Sequence, residues 1–210
     1  MPDSLNDSIR RHFADNIWIY LIVIFLFIFG ISLGALTVNN IDEVAKTDAK
    51  IYLEGFLELT SQNQLQSESI LKQSIKFNLY FAMVLFFSGL VYVGIIIIPI
   101  LVAFRGFCIG FSIAFLTGNV EDNGFLLSLG SVLPQNMIYI PVIIVMAVIS
   151  FNYSMWALRS KYFKKSGTSS RLFTIYALSM LVLIILLVAG SIVEAYITSL
   201  IVKLIVPYIK

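Results

Sequence analysis

Three stretches of the chain are apolar over at least 22 residues and contain no charged side chain. They are Ile17–Val38, Leu79–Phe104 and Leu172–Val193. A helix needs about 20 apolar residues to cross hydrocarbon that is roughly 30 Å thick. Each stretch is therefore predicted to span a membrane as a helix.

Two further apolar regions decide the number of spans. An uncharged run lies between Asn123 and Leu158, and Pro134 and Pro141 interrupt it. Before it, residues 106–117 are apolar over only twelve positions. Counting the short stretch as a crossing gives five spans, and leaving it out gives four. The five-span alternative places the spans at about 17–38, 79–104, 106–118, 124–158 and 172–193.

The distribution of charge favours five spans. Residues 159–171 contain five Lys or Arg and no acid, which is typical of a cytoplasmic loop. Arg105 is expected on the same side, between two apolar runs, whereas 118–123 has two acids and no base. Five spans with a cytoplasmic N-terminus and an extracytoplasmic C-terminus place each of these loops on its expected side. Four spans would misplace either the first apolar run or the basic loop.

Composition also favours a membrane location. The 210 residues are 59% hydrophobic and only 12% charged, whereas a soluble domain carries about 25% charged residues. No basic patch suggests nucleic acid as a partner, and the one cysteine, Cys108, cannot form a disulfide within the chain. The first apolar run exceeds the roughly 7–15 residues of a cleavable signal, so it is expected to remain as an anchor. The predicted fold is all-α, a polytopic helix bundle with one short or broken helix.

The segment 39–78 is polar and is predicted to form an outer helical segment. Tyr52, Phe56 and Leu59 follow the i, i+4, i+7 spacing of an amphipathic helix, and "TSQNQ" at 60–64 is expected to divide the segment into two helices. The apolar face would then lie on the membrane, on the protein's own spans or on a partner. A simple connecting hairpin is the alternative. The tail 194–210 is expected to form a smaller, interfacial helix on the same side.

Small residues recur every four positions at Gly106, Gly110, Ala114 and Gly118, and also at Gly30 and Gly34. Such faces let two helix backbones approach closely in a membrane. The pattern fits packing inside one subunit, and it also fits self-association into a homo-oligomer.

The sequence "LPQN" places polar amides in apolar surroundings. Pro134 lacks an N–H and its ring obstructs the preceding turn, so the helix is expected to bend or restart there. Gln135 and Asn136 are predicted to satisfy the freed backbone groups and to donate to a neighbouring span, in particular the helix at 106–118. A broken helix can also line a transporter site, but on this assignment no span has an ionisable residue near its middle, which argues against coupled transport.

No catalytic constellation is visible. The one histidine, His12, is isolated beside Arg11, and HExxH, GxSxG, phosphate-loop and Cys/His metal patterns do not occur. We therefore predict a protein that is not an enzyme, with no cofactor and no metal.

Several stretches resemble the stage II sporulation protein M family. They are "LGALTVNN", "FRGFCIGFSIAFLTGN", "GFLLSLGSVLPQNMIYIP" and "SIVEAYIT". Their order and spacing are similar over nearly the whole chain, and the likeness is weakest at 42–75. More distant members of the family have a histidine and a glycine after the proline. Gln135 and Asn136 at these positions look like the version in endospore formers.

The resemblance implies a role in engulfment. Family members lie in the mother-cell membrane at the sporulation septum, where they help gather two septal peptidoglycan hydrolases, stage II sporulation proteins D and P. By this resemblance the protein is expected to be a non-enzymatic scaffold. Its partner contacts are expected on the outer segment, with Tyr52, Phe56 and Leu59 as candidates. The alternatives are a small permease or channel with a pore element at Pro134, and a membrane subunit driven by a separate ATPase.

Overall fold

The computed structural model describes residues 13–61, 67–120, 123–163 and 169–208. The described chain is all-α and contains five helices that are long and apolar enough to cross a membrane. The prediction of an all-α, polytopic bundle with five spans is therefore confirmed. The helices are α1 (Ile17–Thr37, followed by a 3-10 turn at Val38–Asn40), α2 (Glu43–Ser61), α3 (Ser67–Leu90), α4 (Gly94–Asn119), α5 (Gly124–Phe163), α6 (Ser169–Ile192), a π-helical turn (Val193–Thr198), α7 (Ser199–Ile205) and a 3-10 turn (Val206–Tyr208).

The charge pattern predicted that the second and third spans divide at Arg105, but the structure places the division elsewhere. The chain turns at residues 91–93, so the apolar run 79–104 is shared between the end of α3 and the start of α4. Hydropathy alone does not reveal this turn, because its residues Val-Tyr-Val are apolar. Ser154 Oγ donates to the Val91 carbonyl oxygen at 2.6 Å, and a side chain at Gly94 would overlap the Ser88 carbonyl oxygen. The expected cytoplasmic loop at Arg105 is therefore wrong, and Arg105 lies inside a span.

The outer segment and the tail also differ from their predicted bounds. Helix α2 ends at Ser61 and α3 begins at Ser67, so a helix boundary falls close to 60–64, of which 62–64 lie outside the described residues. The part from 67 to 78 is the first half of the second span rather than a separate outer helix. The tail from Glu194 does not form a separate interfacial helix, because it continues the last span through the π-helical turn.

Helix α5 is continuous through Pro134 and Pro141. The expected restart at Pro134 is therefore not present, since the loss of one N–H leaves the neighbouring backbone hydrogen bonds of the helix in place.

Helices α1 and α4 run parallel and touch through their backbones. A Cβ added at Gly30 or Gly34 would overlap carbonyl oxygens of α4, and one added at Gly106 or Gly110 would overlap carbonyl oxygens of α1. The main apolar core lies beside this contact and includes Leu85, Ile98, Val102, Ile143 and Met146. A smaller cluster of Val120, Leu127, Val202 and Val206 joins the helices at the end of the bundle that carries α2, which we call the α2 end.

Candidate functional site: a polar cavity within the spans

A cavity of about 510 Å³ lies among α3, α4, α5 and the π-helical turn. It contains an arginine and a carboxylate, surrounded by amides and hydroxyls. Its lining residues are Ile70, Gln73, Ser74, Phe77, Asn78, Arg105, Cys108, Ile109, Ser112, Leu116, Ser131, Val132, Gln135, Asn136, Tyr139 and Glu194.

The cavity extends from near the α2 end towards the middle of the bundle. Ile70 is three residues from the start of α3, and Leu116 is three residues from the end of α4. Arg105 is fourteen residues from the end of α4, or about 20 Å along the helix axis at roughly 1.5 Å per residue. Gln73, Phe77 and Ser112 are exposed, so the cavity is open to the surface of the bundle between α3 and α4.

Arg105 forms the deep, positively charged end of the cavity. Its Nη2 donates to Asn78 Oδ1 at 3.2 Å, and Asn78 Nδ2 in turn lies 3.3 Å from the hydroxyl oxygens of Ser74 and Ser191. The guanidinium carbon is 5.3 to 5.7 Å from the ring centroids of Phe77, Phe81 and Tyr139. These rings supply cation–π attraction, which holds the charged group in place without neutralising it.

Glu194 provides the negative charge. Ser74 Oγ donates to its Oε2 at 2.5 Å, and the Tyr139 hydroxyl donates to the same oxygen at 2.8 Å. Glu194 stands at the second position of the π-helical turn. Turns of this kind interrupt α-helices and are frequent at functional sites. Tyr139 therefore contacts both charged groups, Arg105 through its ring and Glu194 through its hydroxyl.

Arg105 and Glu194 share the cavity without forming an ion pair. In the described part of the chain no carboxylate lies within 4.0 Å of the Arg105 guanidinium, whereas Lys72 and Glu68 on the exposed side of α3 do form an ion pair. Arg105 Nε is also buried without a hydrogen-bond partner. Charged groups inside a membrane normally pair or line a path for polar species, so the unpaired arrangement marks this cavity as the candidate site.

Residues 23–199 match the model of SpoIIM, stage II sporulation protein M. The chain belongs to this family. Neither a curated protein nor a solved structure matches it. All sixteen cavity residues fall inside the span that matches the SpoIIM family, as does helix α2.

The polar residues around Pro134 lie at the edge of this cavity. Gln135 Nε2 donates to the Ser131 carbonyl oxygen at 2.5 Å, and Asn136 Nδ2 donates to the Val132 carbonyl oxygen at 2.7 Å. Both amides are buried, and both donate within their own helix. Gln135 also accepts a hydrogen bond of 2.8 Å from Thr198 Oγ1. The expected donation to the helix at 106–118 is thus not found, and the contact between spans runs to the last span instead.

The small-residue face of α4 is only partly used in the monomer. Gly106 and Gly110 face α1, whereas Gly118 is exposed and a Cβ there would meet nothing within 4 Å. Of the partner-binding candidates, Tyr52 is 82% exposed and Leu59 is 45% exposed, while the side chain of Phe56 lies outside the described residues.

Arg105 and Glu194 were not predicted as site residues, because each directly follows an apolar run and was therefore assigned to a position outside the spans. Asn78 had also been assigned to the outer segment. The sequence did contain a signal for a longer second span. Ser74, Asn78 and Phe81 are spaced as on one face of a helix, and this spacing continues across the predicted boundary at residue 78. Among the described residues no group of three potential metal-ligating side chains is found.

Proposed function

We propose that the protein is a non-enzymatic membrane scaffold of the sporulation engulfment machinery, which helps hold septal peptidoglycan hydrolases in place. Membership of the SpoIIM family supports a sporulation membrane protein. The proposal adds the partners, stage II sporulation proteins D and P, the mother-cell membrane at the septum as the location, and a possible homo-oligomeric state.

The observation that carries the proposal is an exposed apolar stripe on α2. Val44, Ile51, Tyr52 and Leu59 are 68%, 60%, 82% and 45% exposed, and their spacing of seven, one and seven residues places them on one side of the helix, where the exposed Asp48 also lies. The opposite side of α2 is held against the bundle, since Leu53 and Leu57 pack on the cluster at the α2 end. Helix α2 is therefore anchored by one side and presents the other as an apolar contact surface.

The orientation required for this role has the α2 end outside the cytoplasm. Residues 159–171 contain five basic residues, which favours the cytoplasmic side for this loop. The α2 end lies at the other end of the spans from this loop. In a background with Cys108→Ser, Ser67→Cys should react with an impermeant thiol reagent in intact cells. Ser166→Cys should react only after lysis. Equal reaction at both positions would contradict the orientation.

The partner contact is tested with Tyr52→Glu, which replaces the most exposed of these apolar side chains by a charge. Tyr52→Phe is the control, because it removes only the hydroxyl and keeps the exposed apolar ring at the same position. Membranes with equal amounts of each variant are solubilised, and the two hydrolases are captured with the tagged protein. We expect capture to fall with Tyr52→Glu alone. Undiminished capture would mean that the stripe rests on lipid and that the hydrolases are held elsewhere.

The polar cavity favours a second candidate, a small permease or channel. Arg105 and Glu194 are ionisable residues inside spans, as coupled transport usually requires, although the sequence alone had indicated none near the middle of a span. Beyond Arg105, however, the core residues Leu85, Ile98 and Met146 have no exposed surface, so transport would require a second conformation. Uptake of labelled phosphate, amino acids or K⁺ into proteoliposomes, above that of Arg105→Gln liposomes, would support this candidate. Uptake equal to that of empty liposomes would reject it.

A further inference from the structure

We infer that the Arg105 cavity binds a small zwitterion, with its anionic group on Arg105 and its ammonium on Glu194. The inference concerns binding alone and does not depend on the scaffold role or on passage through the membrane. It follows from the unused hydrogen-bonding capacity of two opposite charges that share one cavity.

Arg105 has donors left over for an anion. A guanidinium carries five N–H groups in a fixed fork that matches carboxylate or phosphate. Within the described structure, one hydrogen bond leaves the side chain, from Nη2 to Asn78, and Nε has no partner. Asn78 is itself held by the hydroxyls of Ser74 and Ser191. The guanidinium is thus fixed in direction but not neutralised.

Glu194 has acceptor capacity left over for a cation. The hydrogen bonds from Ser74 and Tyr139 both end on Oε2, and no described group donates to Oε1. A carboxylate offers about four lone-pair sites, so an ammonium can still be accepted. The neighbouring small cavity of about 150 Å³ also contains Glu194, together with Ser199, whose buried Oγ lacks a partner.

A ligand with one charge would satisfy only one of these groups. An anion bound to Arg105 would give the cavity a net negative charge, and a cation bound to Glu194 would give it a net positive charge. Removing an uncompensated charge from water is expensive. A molecule that carries both charges keeps the occupied cavity electrically balanced.

The ligand must also be short between its charges. The path from Arg105 to Glu194 runs through Asn78 and Ser74, with hydrogen bonds of 3.2, 3.3 and 2.5 Å, so only two polar side chains separate the charged groups. The candidates are therefore molecules with few atoms between their charges, such as an α-amino acid or a phosphoethanolamine group. The volume of about 510 Å³ is within the range of roughly 300–1,000 Å³ that is usual for small-molecule sites.

Two sources can supply such a zwitterion, a free solute or the headgroup of an aminophospholipid. The opening between α3 and α4, with the exposed ring of Phe77 at its side, is compatible with both. The experiment is therefore designed to separate them.

The test is isothermal titration of the purified full-length protein, in detergent free of aminophospholipid, with glycine and with glycerophosphoethanolamine, whose phosphodiester and ammonium charges cancel. Acetate, dimethyl phosphate and ethylamine serve as ligands of single charge. We expect at least one zwitterion to bind about tenfold or more tightly than every single-charge ligand. Equally tight binding of an anion would overturn the inference. So would a failure of every free ligand to bind, if phosphatidylethanolamine also left the alkylation rate of Cys108 unchanged. This comparison uses the unmodified chain and so does not depend on whether variants fold.

The lipid arm uses the alkylation rate of Cys108, which lines the cavity and is the only cysteine of the chain. The protein is reconstituted in phosphatidylglycerol vesicles with and without phosphatidylethanolamine. A lipid headgroup is identified if phosphatidylethanolamine slows the alkylation and the free zwitterions neither slow it nor bind in the titration. Protection by free glycerophosphoethanolamine or glycine identifies a solute.

Two variants then assign the charges. Arg105→Gln and Glu194→Gln should each weaken binding of the zwitterion by about tenfold or more, since each leaves one ligand charge uncompensated. Arg159→Gln is the control, because Arg159 is exposed and lies outside the cavity. Unchanged affinity in a folded Arg105→Gln protein would place the ligand elsewhere and overturn the inference.

Discussion

Helix α4 has two faces with opposite packing. One face carries Gly106 and Gly110, which bring the backbones of α4 and α1 into direct contact. The other carries Arg105, Cys108 and Ser112, which line an open polar cavity. Without water to drive burial, spans associate through close van der Waals packing and polar contacts. The glycine face therefore fixes α4 in the bundle, and this rigid support allows the opposite face to remain open around two charges.

The largest effect is expected on the glycine face. Gly110→Ala places a methyl group on the carbonyl oxygen of Ile31, which belongs to the backbone and cannot rotate away. Overpacking of this kind destabilises a protein by about 1–3 kcal/mol and occasionally by more. We expect a clearly lower midpoint of thermal unfolding in detergent.

Gly118→Ala is the matched control, because it adds the same methyl group to the same helix where nothing lies within 4 Å. It should leave the midpoint unchanged or raise it slightly, since alanine favours a helix by up to about 1 kcal/mol over glycine. Similar losses in both variants would show that the helix tolerates glycine replacement poorly in general, and that close contact with α1 is not the cause.

A smaller effect is expected on the cavity face. Tyr139→Phe removes the hydroxyl that donates to Glu194 and lies 3.0 Å from Ser74 Oγ, while the ring against Arg105 is kept. Leaving a buried partner unsatisfied costs about 1–3 kcal/mol, and the open cavity can admit water that offsets part of this loss. We expect a reduction in thermal stability below that of Gly110→Ala. Tyr80→Phe is the control, since Tyr80 is 72% exposed, and an equal reduction there would contradict the assignment.

The difference between the two faces also explains what could be read from the sequence. The glycines recur at helical spacing inside an apolar run, so their shared face could be predicted without knowing where the helix begins. Arg105 could be placed only by locating the turn, and Val91–Val93 is as apolar as the helices that it joins. A single charge was therefore taken as a loop marker, although the neighbouring aromatic rings and Asn78 accommodate it inside a span.

The charges of the cavity come from distant parts of the chain, and this too limited the prediction. Arg105 and Glu194 are 89 positions apart in sequence and meet only after α3 and α5 are placed between them. The π-helical turn that contains Glu194 has no recognisable residue pattern. By contrast, five spans and an amphipathic α2 depend on local composition and periodicity, and these were predicted correctly even where their bounds were displaced.

The smallest effect is expected at Asn136, although the sequence alone suggested a substantial one. Its Nδ2 donates to the Val132 carbonyl oxygen of its own helix, which is already the backbone acceptor for residue 136 in an α-helix. Its Oδ1 is buried without a partner. Asn136→Leu therefore removes an unsatisfied acceptor together with a redundant hydrogen bond, and we expect a change in unfolding free energy within about 0.5 kcal/mol.

Gln135→Met is the informative comparison for Asn136→Leu, because it also replaces a buried amide by an apolar side chain on the same turn of α5. Gln135 Oε1 accepts the hydrogen bond from Thr198, so its loss leaves a buried hydroxyl without its partner on the other span. Hydrogen bonds between spans contribute about 0.6–1.7 kcal/mol, and the midpoint of unfolding should fall accordingly. If Asn136→Leu proved the more destabilising of the two, the contact between α5 and the last span could not be the reason for amides at these positions. Their role would then lie in the cavity that both residues line.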